Sequence, residues 1–194
     1  VLVTICAVLC DFLCSADIIF DQKSMNLNQM PSPGTIPTNT QRINLKYNNI
    51  QDIPDNYFIN HNNLYYILIS YNKIPDAGIH PNSFTGTIIQ FLSLRTNLLT
   101  DIPNLDAIAG TLEELLLGYN SITAVSTNKL DNLKKLKKLY LNNNQIVTLH
   151  PDVFNGPETL IKLQLKRNLL TGKESFKLKD ASFFFMYTYF VLSI

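Results

Sequence analysis

At 194 residues, with 46 % hydrophobic and 16 % charged residues, the chain has the length of one domain. A net charge of +1 excludes a chain that binds nucleic acid through its bulk charge. The sign is uneven: residues 1–128 hold five Lys/Arg against ten Asp/Glu, net −5, and residues 129–194 hold eleven against five, net +6, an asymmetry that concerns partners rather than fold.

Residues 1–9, VLVTICAVL, are apolar and uncharged. They read as the hydrophobic part of a secretory signal peptide; the alternative is a short buried strand or helix. About nine apolar residues are too few for a membrane span, which needs ~20. All three cysteines, Cys6, Cys10 and Cys14, lie in this start, and they lack the spacing and partners of a zinc site. Cys10 and Cys14 pair with each other or with another partner, or all three belong to a cleaved peptide. Residues 1–14 are therefore set apart as a signal-like start, and residues 15–39 as an N-terminal cap region. Within the latter, the turn-rich stretch 24–41 keeps Leu27, Met30, Ile36 and Pro37 in places that fit a cap strand.

From residue 40 a frame repeats: TQRINLKYNNI (40–50), LYYILISYNKI (64–74), IQFLSLRTNLL (89–99), LEELLLGYNSI (112–122), LKKLYLNNNQI (136–146) and LIKLQLKRNLL (160–170). The shared template is L-x-x-L-x-L-x-x-N-x-L. Its asparagines are Asn48, Asn72, Asn97, Asn120, Asn144 and Asn168, at spacings of 24, 25, 23, 24 and 24. A period in this range marks a solenoid, in which each coil packs only on its neighbours. The pattern over residues 36–172 resembles the extracellular leucine-rich repeat family. The junction IPTNTQRINL resembles that of Slit-like proteins and of the variable lymphocyte receptors of jawless fish. The family resemblance implies an α/β solenoid, a horseshoe with a parallel concave sheet and short 3₁₀ or turn segments on the convex side, with little true helix. It also implies a disulfide-bonded cap, of which CDFLCSAD (10–17) looks like the first half. The cap's usual later cysteine is replaced by Gln22 or a neighbour.

The alternation in each frame gives inward pairs Ile43/Leu45, Ile67/Ile69, Leu92/Leu94, Leu115/Leu117, Leu139/Leu141 and Leu163/Leu165. The asparagines are expected to form a ladder that satisfies backbone groups where the chain turns inward. Behind the sheet, Ile50/Ile53, Leu99/Ile102, Ile122/Val125 and Ile146/Leu149 fill the core, and Phe58, Phe84, Leu130 and Phe154 form an apolar spine. PDAGIHP (75–81) is a short insertion in the second repeat. The pattern fails after Leu170, so residues 40–172 are six repeats and 173–194 an irregular tail. The apolar run 181–194 has three open readings: a last strand over the core end, a truncated membrane segment, or truncated, non-native sequence. Membrane association is left open with it.

No motif of enzymatic chemistry stands out: there is no G-x-S-x-G, P-loop, G-x-G-x-x-G or H-E-x-x-H. His61, His80 and His150 read as surface turn residues, and the adjacent Glu113 and Glu114 point opposite ways along a strand, a poor acid/base pair. No metal and no cofactor is expected, and the chain reads as a non-enzyme. It also has no N-x-S/T sequon, unlike many secreted relatives of the pattern. What remains is the concave face. Tyr66, Leu68, Tyr71, Phe91, Arg95, Leu116, Tyr119, Tyr140 and Asn142 are expected there as a partner-binding surface. Aromatic and Arg anchors ringed by polar residues resemble an interface hot spot, and a contiguous apolar patch calls for a partner. Lys138, Lys162, Lys166 and Arg167 form a second candidate, for an anionic partner such as an acidic polysaccharide. The expected function is protein recognition in a secreted or cell-surface adhesion, receptor or matrix context. The alternative is a structural matrix component held by polysaccharide at the basic repeats.

Overall fold

The computed structural model describes residues 17–150 and 152–170. Six three-residue strands follow the six frames: β2 (Arg42–Asn44), β3 (Tyr66–Leu68), β4 (Phe91–Ser93), β5 (Glu114–Leu116), β7 (Lys138–Tyr140) and β9 (Lys162–Gln164). A further strand, β1 (Ile19–Asp21), precedes them. The seven form one parallel sheet in chain order. The register is uniform: Arg42 opposes Tyr66, then Phe91, Glu114, Lys138 and Lys162. Parallel strands need a crossover, and here each crossover is the convex half of one coil. Four 3₁₀ turns lie on that side, at Pro33–Thr35, Asp76–Gly78, Asp106–Ile108 and Thr127–Lys129, and no α-helix occurs among the described residues. The fold is the expected solenoid.

The inward side chains of the first five frames, from Ile43 to Leu141, are buried, and Leu163 packs partly buried against the same core. The convex set Ile50, Ile53, Leu99, Ile102, Ile122, Val125, Ile146 and Leu149 closes that core from behind. The first two spine residues stay in line: the rings of Phe58 and Phe84 stack with centroids 6.3 Å apart, so the insertion after Asn72 leaves these coils in phase. Gly78 makes this possible, because a Cβ there would lie 2.2 Å from the Gln51 carbonyl.

Three features differ from the sequence expectation. The cap strand is β1, upstream of the stretch 24–41, which instead holds a 3₁₀ turn. β1 opens a complete coil whose phase is hidden, because Met25 occupies the place of the ladder asparagine and Gln22 that of an inward leucine. A second parallel pair, β6 (Ala124–Val125) with β8 (Thr148–Leu149), and a bridge between Ile53 and Ile79 line the convex side. His61 is not a surface residue: it is buried, its Nε2 lies 3.3 Å from the Ile36 carbonyl and its ring stands edge-on to Phe58. Residues 1–16, with the three cysteines and the signal-like run, and the tail 171–194 lie outside the described residues.

Candidate functional site

The turn that leaves each strand is built by one asparagine and the residue before it. Asn120 shows the pattern. Its Nδ2 donates to the carbonyls of Leu94 (3.1 Å) and Leu117 (2.9 Å), and its Oδ1 accepts from the amides of Asn97 and Leu99. Successive side chains share acceptors, so that the Leu94 carbonyl takes a bond from both Asn97 and Asn120, and the Leu117 carbonyl from Asn120 and Asn144. Asn48, Asn72, Asn97, Asn144 and Asn168 donate in the same way. At the first rung Asn48 reaches the Gln22 carbonyl and accepts from Met25 and Leu27, coupling β1 to the array. The residue before each asparagine has a positive φ: Tyr47, Tyr71, Thr96, Tyr119, Asn143 and Arg167, all between 55° and 59°, with Ser24 in the matching place of the first coil. This left-handed backbone is costly for an ordinary side chain. It lifts the side chain out of the sheet: Tyr47, Tyr71 and Tyr119 are 46 %, 36 % and 39 % exposed.

The concave face thus has four columns running across the strands. The first contains Arg42, Tyr66, Phe91, Glu114, Lys138 and Lys162. It is internally paired: the Arg42 guanidinium lies 4.3 Å over the Tyr66 ring, which stacks on Phe91 at 4.2 Å, and Lys138 Nζ bonds Glu114 at 2.9 Å. That carboxylate raises the Lys138 pKa above its ordinary value, chiefly by the hydrogen bond. In the second column come Asp21, Asn44, Leu68, Ser93, Leu116, Tyr140 and Gln164, with Lys162 Nζ 5.0 Å from the Tyr140 ring centroid. Lys46, Ser70, Arg95, Gly118, Asn142 and Lys166 follow two residues further on. The fourth column holds the left-handed residues, where Tyr47 and Tyr71 stack at 4.3 Å.

Of the sequence-predicted partner residues, Tyr71 and Tyr119 are exposed, whereas Tyr66, Leu68, Phe91, Arg95, Leu116, Tyr140 and Asn142 are half-buried. The apolar patch is narrower than a row-by-row reading of the sequence implies, because neighbouring rings cover one another. Asn142 is folded over Gly118 and donates to Asn143 Oδ1. Among the four basic-end residues, Lys138 is held by Glu114 and Lys162 by Tyr140, while Lys166 and Arg167 are exposed. Glu113 and Glu114 do face apart: Glu113 pairs with Lys137 at 2.7 Å and Glu114 with Lys138. Tyr47, which the sequence places on the concave face but outside the predicted partner set, stands just before Asn48 as the counterpart of Tyr71 and Tyr119.

An open cleft of about 840 Å³ lies on the other side of the first coils, between residues 29–38 and 54–61. Pro31, Pro33, Pro54, Ile59 and His61 line it. Tyr57 stands in its wall, with its hydroxyl donating to the Pro31 carbonyl, and burial pushes its pKa up to about 12. Among the described residues no group of His, Cys, Asp or Glu is placed to hold a metal ion.

A family model described as "Leucine rich repeat" matches residues 38–104 and 110–170. Keratocan of Gallus gallus is 34 % identical over 135 residues, which cover 62 % of this chain and 37 % of that protein. Osteomodulin of Mus musculus is 35 % identical over 138 residues, 70 % of this chain and 32 % of its own. Lumican of Homo sapiens is 30 % identical over 139 residues, 67 % and 40 % respectively. The chain spans well under half the length of the curated relatives it matches. These three are extracellular matrix proteins, and the location they give is extracellular or cell-surface. In solved structures, a complex of Latrophilin 3, Unc5D and FLRT2 contains a chain that matches 76 % of this one over 45 % of its own length, with a TM-score of 0.68 and 25 % identity. A leucine-rich repeat protein of Leptospira interrogans matches 69 % of this chain over 33 % of its own, with a TM-score of 0.57 and 27 % identity.

Proposed function

The chain belongs to the leucine-rich repeat family, and from that premise we propose that its concave sheet binds a protein partner outside the cell or at its surface. The observation that carries this is the pre-stacking of the face's aromatics. Tyr66 lies on Phe91 and Tyr47 on Tyr71, at 4.2 and 4.3 Å between centroids and within 15° of parallel. A ring held in place before binding loses little freedom on contact, and rigid aromatic anchors of this kind dominate protein interfaces. The leucine-rich repeat part of FLRT2, named in its complex with Latrophilin 3 and Unc5D, is a fold relative found in a protein assembly. The reading is one of recognition rather than catalysis, since the opposite charges that meet on this face are spent on each other, Arg42 on Asp17 and Lys138 on Glu114.

The test is a screen of purified extracellular domains against the immobilised chain, repeated with Tyr66→Ser, Tyr71→Ser and Tyr119→Ser combined. Binding by the wild type should fall at least tenfold in the variant while circular dichroism is unchanged. A partner that binds both proteins alike would show that the concave rings do not carry recognition.

A further inference from the structure

Among the described residues, charge sorts by face and not only along the chain. The concave columns hold eight Lys/Arg, including Lys23 in the first coil, against three carboxylates, counting Asp17, which bonds Arg42. That face is net +5, and the rest of the described surface, with five Lys/Arg against nine Asp/Glu, is net −4. Most of the strand cations are already engaged, as described for Arg42, Lys138 and Lys162.

Arg95 is different. It stands in the fourth of seven strands' coils, at the middle of the array. Its guanidinium lies 4.2 Å from the Tyr119 ring centroid, yet it has no ion pair with any described residue, and its Nε is buried without an acceptor. Its neighbours in the same column are small. Ser70 is buried, with its hydroxyl 2.6 Å from that of Ser93, and a Cβ on Gly118 would come within 2.9 Å of Asn142 Oδ1. Neither neighbour in the column offers Arg95 a counter-charge, and Asn142 folds over the Gly118 side. In the adjoining column Leu68 and Leu116 flank the buried Ser93 and form a low apolar shelf beside the charge.

We propose that Arg95 is the anchor for an acidic side chain of the partner: an Asp or Glu carboxylate seated on the Arg95 guanidinium, with an adjacent apolar residue on the Leu68–Leu116 shelf. This rests on the protein-binding reading of the face. A guanidinium presents parallel N–H donors that match a carboxylate, and apolar surroundings strengthen that bond. The net positive face draws an acidic segment toward the site and orients it. An acidic protein segment fits better than a sulphated polysaccharide. A polyanion needs cations in sequence, whereas the column is interrupted by Ser70 and Gly118, and Lys46 stands two strands away, about 10 Å.

Fluorescent peptides (Leu-Glu-Gly)4 and (Leu-Gln-Gly)4 and a heparin dodecasaccharide, titrated into the full chain by anisotropy with ¹⁵N amide shifts locating the contact, test this. The acidic peptide should bind at least tenfold more tightly than its glutamine counterpart and shift the amides of residues 68–70, 93–96 and 116–119. Arg95→Gln should remove at least tenfold of that affinity, and Lys135→Gln, off the face, should leave it unchanged. Equal binding of the two peptides at those amides would overturn the acidic anchor while leaving the face as a protein site. Shifts elsewhere, or no binding, would overturn both. Heparin binding that depends on Arg95 but not on Leu68→Ser would also overturn the proposal, in favour of a polysaccharide.

Discussion

At the scale of single residues, two side chains at each turn do opposite work. The asparagine satisfies the backbone and its predecessor strains it. Replacing Asn120 by Ala leaves the amides of Asn97 and Leu99 without an acceptor in a buried turn. Each orphaned group costs about 1–3 kcal/mol. Urea unfolding of Asn120→Ala should therefore show a loss of several kcal/mol at unchanged m-value, and Asn168→Ala, half-buried at the last described coil, should lose less. A cost for Asn120→Ala below that of a surface substitution would mean water replaces the side chain. Thr96 is the one β-branched residue among the left-handed positions, at φ 55°. Asn tolerates that region far better, so Thr96→Asn should raise the melting temperature, by the equivalent of about 1 kcal/mol. The six asparagines were legible because one residue type recurs at one phase. The positive φ beside them was not, since Tyr, Thr, Asn and Arg share no chemistry that announces it. His61 was misread for a related reason: its burial depends on the Pro31–Ile36 loop folding over it, a contact between segments about 25 residues apart that no local pattern records.

At the scale of the element, β1 is the informative case. Its period was concealed because Gln22 and Met25 stand where the template asks for leucine and asparagine, and only pairing with β2 restores the phase. Gln22 keeps a buried Oε1 with no partner. Gln22→Leu should remove that orphan and add apolar contact with Leu45, stabilising the first coil by about 1–2 kcal/mol; no change in the exchange of its amides would show that the glutamine is satisfied by solvent. β1 is also pinned by charge. Asp17 accepts from the Tyr65 hydroxyl (2.8 Å) and from Arg42 Nη1 (3.0 Å), and these bonds hold its pKa below the ordinary value. A carboxyl with a depressed folded-state pKa contributes stability that is complete above its unfolded value, about 3.9, and is lost as the pH falls through the lower folded value. Hydrogen exchange at Gln41, whose amide donates to the Ile18 carbonyl, should thus accelerate relative to the central strands below about pH 4. Asp17→Asn should abolish that difference; an unaltered acid response in the variant would assign it to another carboxylate. The convex pair β6–β8 was illegible because two-residue strands leave no alternation to read.

At the scale of the whole molecule, sequence and structure divide the charge differently. Along the chain the halves are −5 and +6, but coiling brings Lys23, Arg42 and Lys46 of the first half onto the same face as Lys138, Lys162 and Lys166 of the second. A linear count cannot show this, since the face gathers four residues from every turn. The same one-dimensional construction governs stability. Each coil touches only its two neighbours, so the energy is close to a sum of local terms, and damage in the middle spreads further than damage at an edge. Leu115 lies fully buried in β5 with strands on both sides, and Phe20 in β1 packs partly buried with β2 as its only described neighbour in the sheet. Leu115→Ala should cost about 2–5 kcal/mol and lower amide protection in every strand, because both flanking coils lose a packing surface. Phe20→Ala should lower protection in β1 and leave β3 to β7 as they were. Hydrogen exchange with peptide-level mass spectrometry separates the two outcomes. If Phe20→Ala lowers protection throughout, the coils unfold as a single unit. The Arg95 region would then share in the stability of the first coil, and a partner bound there would protect β1, three strands away, as strongly as the strands it touches.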